Sequence, residues 1–401
     1  MRAQYAAATL RLFLLAAVTL VAACSMLPRE SFTEAEQEIA QVAGFPNVRY
    51  WADAPPETLR RAIEQVHLSE EVRTTGRFNL LALSGGAYDG AFGAGVLAGW
   101  TATGTRPRFT VVTGVSAGAL AAPLAFLGPD YDATLTEAFT GGMSQVLGEG
   151  GILSLLGSAD MRRQTLVGII EQFVDRRLLA AIAREHERGR RLLVVTTNID
   201  AQRSVLWDMG AIAASRHPDA RRLFIEILTA SSSVPGVFAP TYIEVEAGGR
   251  RFREMHVDGG AATQFFVFPE AFLSTGSLAR GPKPALSNIY IIINNRLSPQ
   301  FDVVESGVLP IVGRSFSTLI KTHARYTLFS TAELARKTGI GLQLTAIGDD
   351  FRPAVKPGFS SEYMRAVYDY GFSKAQSGAL WMSSLPLPSS VRQHPRPQPV
   401  R

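Results

Sequence analysis

The stretch TVVTGVSAGALAA, Thr110 to Ala122, decides how this chain is read. It begins with β-branched apolar residues and ends in small residues, which predicts a buried strand followed by a helix. At the junction lies Gly114-Val115-Ser116-Ala117-Gly118, a Gly-x-Ser-x-Gly pentapeptide. A serine on such a turn is presented to substrate, and the flanking glycines permit a strained backbone and close approach of neighbours. The helix N-terminus adds partial positive charge beside it. A serine hydroxyl is nevertheless a poor nucleophile. It needs a base within hydrogen-bond reach and donors for the negative oxygen that forms on the substrate.

Working outward, RFNLLALSGG places a short apolar strand, Phe78 to Leu83, before a second glycine turn, LSGGAYDGAF. Such a turn can aim backbone N–H groups at an anion. A dinucleotide site would need a third glycine and an acidic residue ending the next strand. The next strand ends instead at Gly114 and Ser116, so an oxyanion hole at Gly85, Gly86 and Ala87 is the expectation. RRLLVVTTNID and NIYIIINN read as further strands. DGAFGAGVLAGW, ARRLFIEILTASSS and FSTLIKTHARYTLFSTAELARKTG read as helices. Strands alternating with helices, several strands being apolar throughout, predict an α/β sandwich with a mostly parallel central sheet.

The base is the open question. In REMHVDGGAAT, Asp258 stands at a strand tip before Gly259 and Gly260. A carboxylate there can simply cap the turn, or it can face a serine on a neighbouring strand. Partial burial would raise its pKa from about 3.9 toward a useful value. Of the six histidines, His67, His186, His217 and His394 lie in polar surroundings and read as surface residues. His256 shares the strand face of Asp258 by alternation and reads as structural. His323 alone follows serine and aspartate in the Ser-Asp-His order, but within a long helix. No cysteine pair or His-x-x-x-His spacing suggests a metal, and Asp349-Asp350 reads as a solvated turn.

Taken together, the glycine turn, Gly-x-Ser-x-Gly, Asp-Gly-Gly and ASSSVPGVFAP (Ala230 to Pro240) occur in an order that resembles the patatin-like phospholipase family, over Arg77 to Trp381. Its members use a Ser-Asp dyad. The resemblance implies a three-layer α/β/α sandwich, Ser116 as nucleophile and Asp258 as base. It also implies an oxyanion hole in the Gly85-Gly86 turn, an ester-bearing lipid substrate and no cofactor. Two positions depart from the family loop. Ala87 stands in place of a third glycine, where a backbone angle favoured by glycine is at stake. Asp89 stands where a basic residue is common, so a substrate preference unlike that of a typical phospholipase A is expected.

The chain has 401 residues, 46% hydrophobic and 19% charged, which suits a globular α/β core with additions. Its N-terminus, MRAQYAAATLR followed by apolar Leu12 to Ala23, reads as a signal peptide over residues 1–23, too short to span a bilayer. The run ends in VAAC, which resembles a bacterial lipobox with Cys24 as the lipidated residue. Ser25 after it leans toward the outer membrane of a Gram-negative envelope. Cys24 is the sole cysteine, so no intramolecular disulfide can form. Removing Arg2 and Arg11 with the leader leaves 38 basic against 35 acidic residues, too slight a balance to suggest nucleic acid. The expected order is leader, a tether and packing segment over 24–75, the hydrolase domain over 76–383, and a Pro-rich disordered tail over 384–401. Gly141 to Arg163, rich in Gly and Leu, reads as a connection or a lid. Two alternatives stay open: an esterase or thioesterase acting on small acyl esters, and a non-catalytic envelope lipoprotein using the fold to bind.

Overall fold

A computed structural model of the protein describes residues 29–55, 69–142, 158–268 and 286–382. Cys24, the leader, the tail and residues 143–157 of the segment read as a connection or a lid lie outside the described residues.

The described strands are β1 (Arg49–Trp51), β2 (Phe78–Leu83), β3 (Val111–Val115), β4 (Arg191–Asn198), β5 (Arg203–Asp208), β6 (Thr241–Ala247), β7 (Arg250–Asp258), β8 (Leu286–Ile293) and β9 (Gly341–Ala346). They form one sheet in the order β1-β5-β4-β3-β2-β8-β9, with the β6–β7 hairpin attached through β7 to β4. The run β4-β3-β2-β8-β9 is parallel throughout. Strands β1, β5, β6 and β7 pair antiparallel.

Alternation along β2 sends Leu81 and Leu83 into one apolar cluster and Leu80 and Ala82 into another. Both faces of the sheet are therefore covered, as the near-continuous apolar strands demand. One face carries α2 (Gly90–Ala102), α3 (Ala117–Leu127), α4 (Ala220–Ser231) and α6 (Ser361–Gln376). The other carries α5 (Val308–Thr338), through Leu328 and Ala335. The result is the expected three-layer α/β/α sandwich.

The N-terminal segment packs onto the main domain. Thr33 caps α1 (Glu34–Ile39) with a reciprocal capping box, its Oγ1 accepting from Glu36 N at 3.2 Å while Thr33 N donates to Glu36 Oε2 at 2.7 Å. Strand β1 then joins the sheet edge against β5. Arg49 on β1 is paired with Glu254 on β7 at 2.7 Å, both side chains essentially sealed from solvent. Glu254 also faces His256 Nε2 at 3.2 Å. Burial pushes the Glu254 carboxyl up, but His256 and Arg49 outweigh it and hold it below its ordinary value. A buried pair of this kind is costly to break by removing one partner. Residues 29–55 are thus part of the same sheet and core as the domain expected to begin at 76.

Candidate active site

The site is made by a handover along β4. Strand β3 pairs β4 up to Val115 opposite Val195. Strand β7 takes the same edge of β4 one residue later, with Asp258 opposite Thr196. At that handover the chain of β3 turns away into α3 through Ser116, and β7 ends at Asp258. The two side chains meet: Ser116 Oγ donates to Asp258 Oδ2 at 2.6 Å.

Ser116 has φ 55° and ψ −125°, a backbone strained for any residue but glycine. The corner is closed by glycines. A Cβ on Gly114 would lie 2.5 Å from the Gly118 carbonyl oxygen, and one on Gly118 would lie 2.3 Å from that of Leu83. Only glycine allows β3, α3 and the end of β2 to approach this closely. Helix α3 then runs through Pro123 to Leu127.

Ser116 N–H donates to Ser231 Oγ at 3.0 Å, and Ser231 Oγ donates to the Val195 carbonyl at 2.6 Å. Ser231 ends α4 and thereby ties the nucleophile corner to β4. Asp258 N–H donates to the Ser233 carbonyl at 2.9 Å. Both serines belong to the block Ala230 to Pro240, whose sequence signal was visible while the roles of the Ser231 hydroxyl and the Ser233 carbonyl were not.

Asp258 is 4% exposed. Its Oδ1 accepts from Gly260 N–H at 2.7 Å, so both oxygens are held without a histidine. Burial raises its pKa to about 7, and the hydrogen bonds from Ser116 and Gly260 only partly offset this. Gly259 passes tightly under β4, where a Cβ would lie 2.4 Å from the Val195 carbonyl oxygen.

The second glycine turn stands beside Ser116, at the tip of the neighbouring parallel strand. Gly85 N–H donates to the Gln264 carbonyl at 3.0 Å. That corrects the expected donor set, because Gly85 is already engaged. Among the described residues, the N–H groups of Gly86 and Ala87 have no acceptor. Ala87 does adopt the left-handed backbone that glycine would favour, at φ 50°. Gln264 also donates from Nε2 to the Gly260 carbonyl at 3.0 Å, so one residue joins the Asp258 loop to this turn.

Asn294, at the end of β8, clamps the same turn and is 1% exposed. Its Nδ2 donates to the Ser84 carbonyl at 2.7 Å, its Oδ1 accepts from Gly93 N–H at 2.9 Å, and its N–H donates to Ser84 Oγ at 2.8 Å. Gly86 lies flat on it, with space for a Cβ only 2.1 Å from its carbonyl oxygen. Asp89 accepts from Tyr363 Oη of α6 at 2.8 Å. Burial raises its pKa to about 6 against that hydrogen bond and the charges of Arg296 and Lys321. The aspartate therefore anchors the turn to α6.

His323 is exposed on α5 and lines a cleft of about 1190 Å3, whose walls include Thr197, Ala261 and Phe265 but neither Ser116 nor Asp258. His256 is fully buried, with Nδ1 2.9 Å from Thr196 Oγ1. His186 is not the surface residue expected: it is largely covered and its Nδ1 stands 3.5 Å from Asp208. Asp349 and Asp350 are exposed at a turn. Among the described residues, no group of three or more His, Cys, Asp or Glu could hold a metal ion.

Residues 81–269 match the family model described as patatin-like phospholipase. No curated protein sequence is significantly similar to the chain. Similar solved structures include VipD from Legionella pneumophila, at 13% identity and TM-score 0.34, covering 75% of this chain and 67% of that one. The type III effector protein ExoU matches at 13% identity and TM-score 0.31, covering 75% and 53%. Human GIVD cytosolic phospholipase A2, solved with methyl gamma-linolenyl fluorophosphonate, matches at 13% identity and TM-score 0.34, covering 88% and 65%. The chain thus spans between 53% and 67% of the lengths of these proteins. The family match begins inside β2, ends just past the Asp258 loop, and contains both corners and the aspartate: across residues 81–269 the chain carries a patatin-like phospholipase domain.

Proposed function

We propose that the protein is a serine acyl hydrolase that cleaves carboxyl esters of lipids through Ser116 and Asp258. The observation that carries this reading is the 2.6 Å hydrogen bond from Ser116 Oγ to a buried carboxylate whose pKa is raised to about 7. A carboxylate of ordinary pKa is too weak a base for a serine, whereas one near 7 is matched to neutral pH. In its ionised form Asp258 takes the Ser116 proton as Oγ attacks the ester carbonyl carbon. The carbonyl oxygen becomes an oxyanion and accepts from the free N–H groups of Gly86 and Ala87. Collapse breaks the ester bond, Asp258 returns the proton to the departing alcohol, and an acyl-serine remains. Asp258 then deprotonates water, which releases the fatty acid and restores Ser116.

Phospholipids, lysophospholipids and other acylglycerols are the proposed substrates, following the family match. Anchoring of the protein to a bacterial cell envelope through acyl chains on Cys24 belongs to the same proposal and is supported by VAAC, with Ser25 favouring the outer membrane where that envelope is Gram-negative. The test is fatty-acid release from mixed phospholipid and neutral-ester micelles. Activity should vanish in Ser116→Ala and Asp258→Asn and persist in His323→Ala. A folded wild-type protein that releases nothing from any ester would favour a binding role for the fold.

A further inference from the structure

Helix α5 is buried on one side only. Ala324, Leu328 and Ala335 pack it onto the sheet. Its outward side is polar toward the C-terminal end, where Ser330, Glu333, Arg336 and Lys337 are exposed, but carries large apolar side chains over its first five turns. Val308, Val312, Leu319 and Tyr326 are all exposed, Val308 by 77% and Leu319 by 68%. At 3.6 residues per turn these four fall within about 40° of one line along the helix. Ile311 widens the stripe, and Phe301, 94% exposed, extends it into the preceding loop. A row of exposed large apolar side chains on one line of a helix marks an interaction site, not an ordinary soluble face.

Charge defines the occupant. Arg314, Lys321 and Arg325 also fall within about 40° of one another, on a single flank of the stripe. None forms an ion pair with a described residue, although Arg314 donates to the Gln300 carbonyl and Lys321 Nζ donates to Gln300 Oε1 at 2.6 Å. From Val308 to Arg325 the helix has no carboxylate, and the two nearby, Asp302 and Glu305, lie in the loop before it. An apolar stripe with a cationic flank is the pattern of a helix that lies in the plane of an anionic lipid surface. The flank also points to the oxyanion turn: the charges of Lys321 and Arg296 act on Asp89, and Arg296 follows Asn294 by two residues.

We propose that the exposed face of α5, with Phe301, docks on an anionic lipid–water interface and thereby brings the Ser116 corner to its substrate. This rests on the lipid hydrolase reading. No contact with a second copy of the chain and no protein partner is needed for it.

The test uses the full-length chain with Cys24→Ser and Ser116→Ala, so that neither lipidation nor turnover intrudes. Leu319→Cys carries an environment-sensitive fluorophore, and Arg251→Cys, also at an exposed position, carries the same label as a control. The apolar run Leu12 to Ala23 can hold every variant at a vesicle, so the label reads only whether α5 enters it. With phosphatidylglycerol vesicles the label at 319 should shift to the blue and the label at 251 should not. The shift should weaken in phosphatidylcholine and at high salt. An unshifted label at 319, or a shift that follows protein concentration without vesicles, overturns the proposal. With Ser116 restored, Val312→Glu plus Leu319→Glu should slow hydrolysis of phosphatidylglycerol vesicles at least tenfold. A dissolved short-chain ester should be cleaved within about twofold of wild type. Equal effects on both substrates, or none on vesicles, also overturn it. If no ester is cleaved at all but the label at 319 still shifts, the hydrolase reading fails and the docking surface stands.

Discussion

Two neighbouring parallel strands end in two similar corners, and they are held in different ways. Strand β3 turns into α3 at Ser116 with φ 55°, and β2 turns toward α2 at Ala87 with φ 50°. Each places a non-glycine residue in the left-handed region. The Ser116 corner depends first on its own flanks, Gly114 and Gly118, which sit two residues to either side and let β3, α3 and the end of β2 close up, with Ser231 bonding its N–H from α4. The Ala87 corner is closed from afar. Asn294 lies 207 positions further along the chain than Ala87, and Tyr363 holds Asp89 from α6. Local closure produces a short sequence motif. Distant closure leaves only an asparagine at the end of an apolar strand and a tyrosine in a helix.

The strongest test of this contrast concerns the chemistry at the Ser116 corner. Ser116→Ala and Asp258→Asn should each lower kcat by on the order of 10^3 to 10^6. The wild-type rate should rise with pH through about 7, because only ionised Asp258 can accept the serine proton. A rate flat from pH 5 to 9 would show that another group is the base.

The same carboxylate should cost stability. Its folded pKa is raised above the unfolded value, so the native state binds the proton more tightly. The penalty is absent below about pH 4, grows as pH rises, and is complete above about 7. Asp258→Asn should therefore be more stable than wild type in denaturant unfolding at pH 8, by on the order of 2–4 kcal/mol, and the gain should fade toward pH 4. Equal stability at all pH values would mean that Asp258 is not desolvated as its burial indicates.

The remote corner is tested at Asn294. Asn294→Ala removes the partners of Gly93 N–H and the Ser84 carbonyl, both buried, at a cost of about 2–3 kcal/mol. If the Ala87 corner depends on this clamp, kcat on a dissolved ester should fall more than tenfold with KM little changed. A stability loss with kcat intact would show that Gly86 and Ala87 hold their geometry without it.

This difference explains what the sequence could and could not disclose. Ser116 and Asp258 were legible because each stands in a short motif whose glycines, at 114 and 118 and at 259 and 260, are adjacent in sequence and demanded by close backbone approach. The parallel center of the sheet was legible as apolar runs. Strand β1 was not, because Arg49 looks solvated until Glu254 is placed against it. Asn294, Gln264 and Ser231 were not, because a hydrogen bond between distant residues imposes no periodicity on either segment. Gly85 was assigned as an oxyanion donor by position, and its N–H is engaged by a carbonyl 179 residues away.

The smallest effect sharpens the comparison most. Ala87 holds a left-handed backbone at φ 50°, which costs an alanine about 1–2 kcal/mol relative to the right-handed region. Glycine would avoid that cost but lose more entropy on folding, about 0.4–1 kcal/mol. Ala87→Gly should thus stabilise the protein by about 0.5–1 kcal/mol in denaturant unfolding. Its effect on kcat distinguishes two ways of holding the corner. If Asn294 and the Asp89–Tyr363 bond fix the turn, the freed residue has nowhere else to go and kcat should stay within about twofold. If Ala87 itself stiffens the turn, glycine should stabilise the fold and yet lower kcat, because the Gly86 and Ala87 N–H groups would no longer be pre-aimed at the oxyanion.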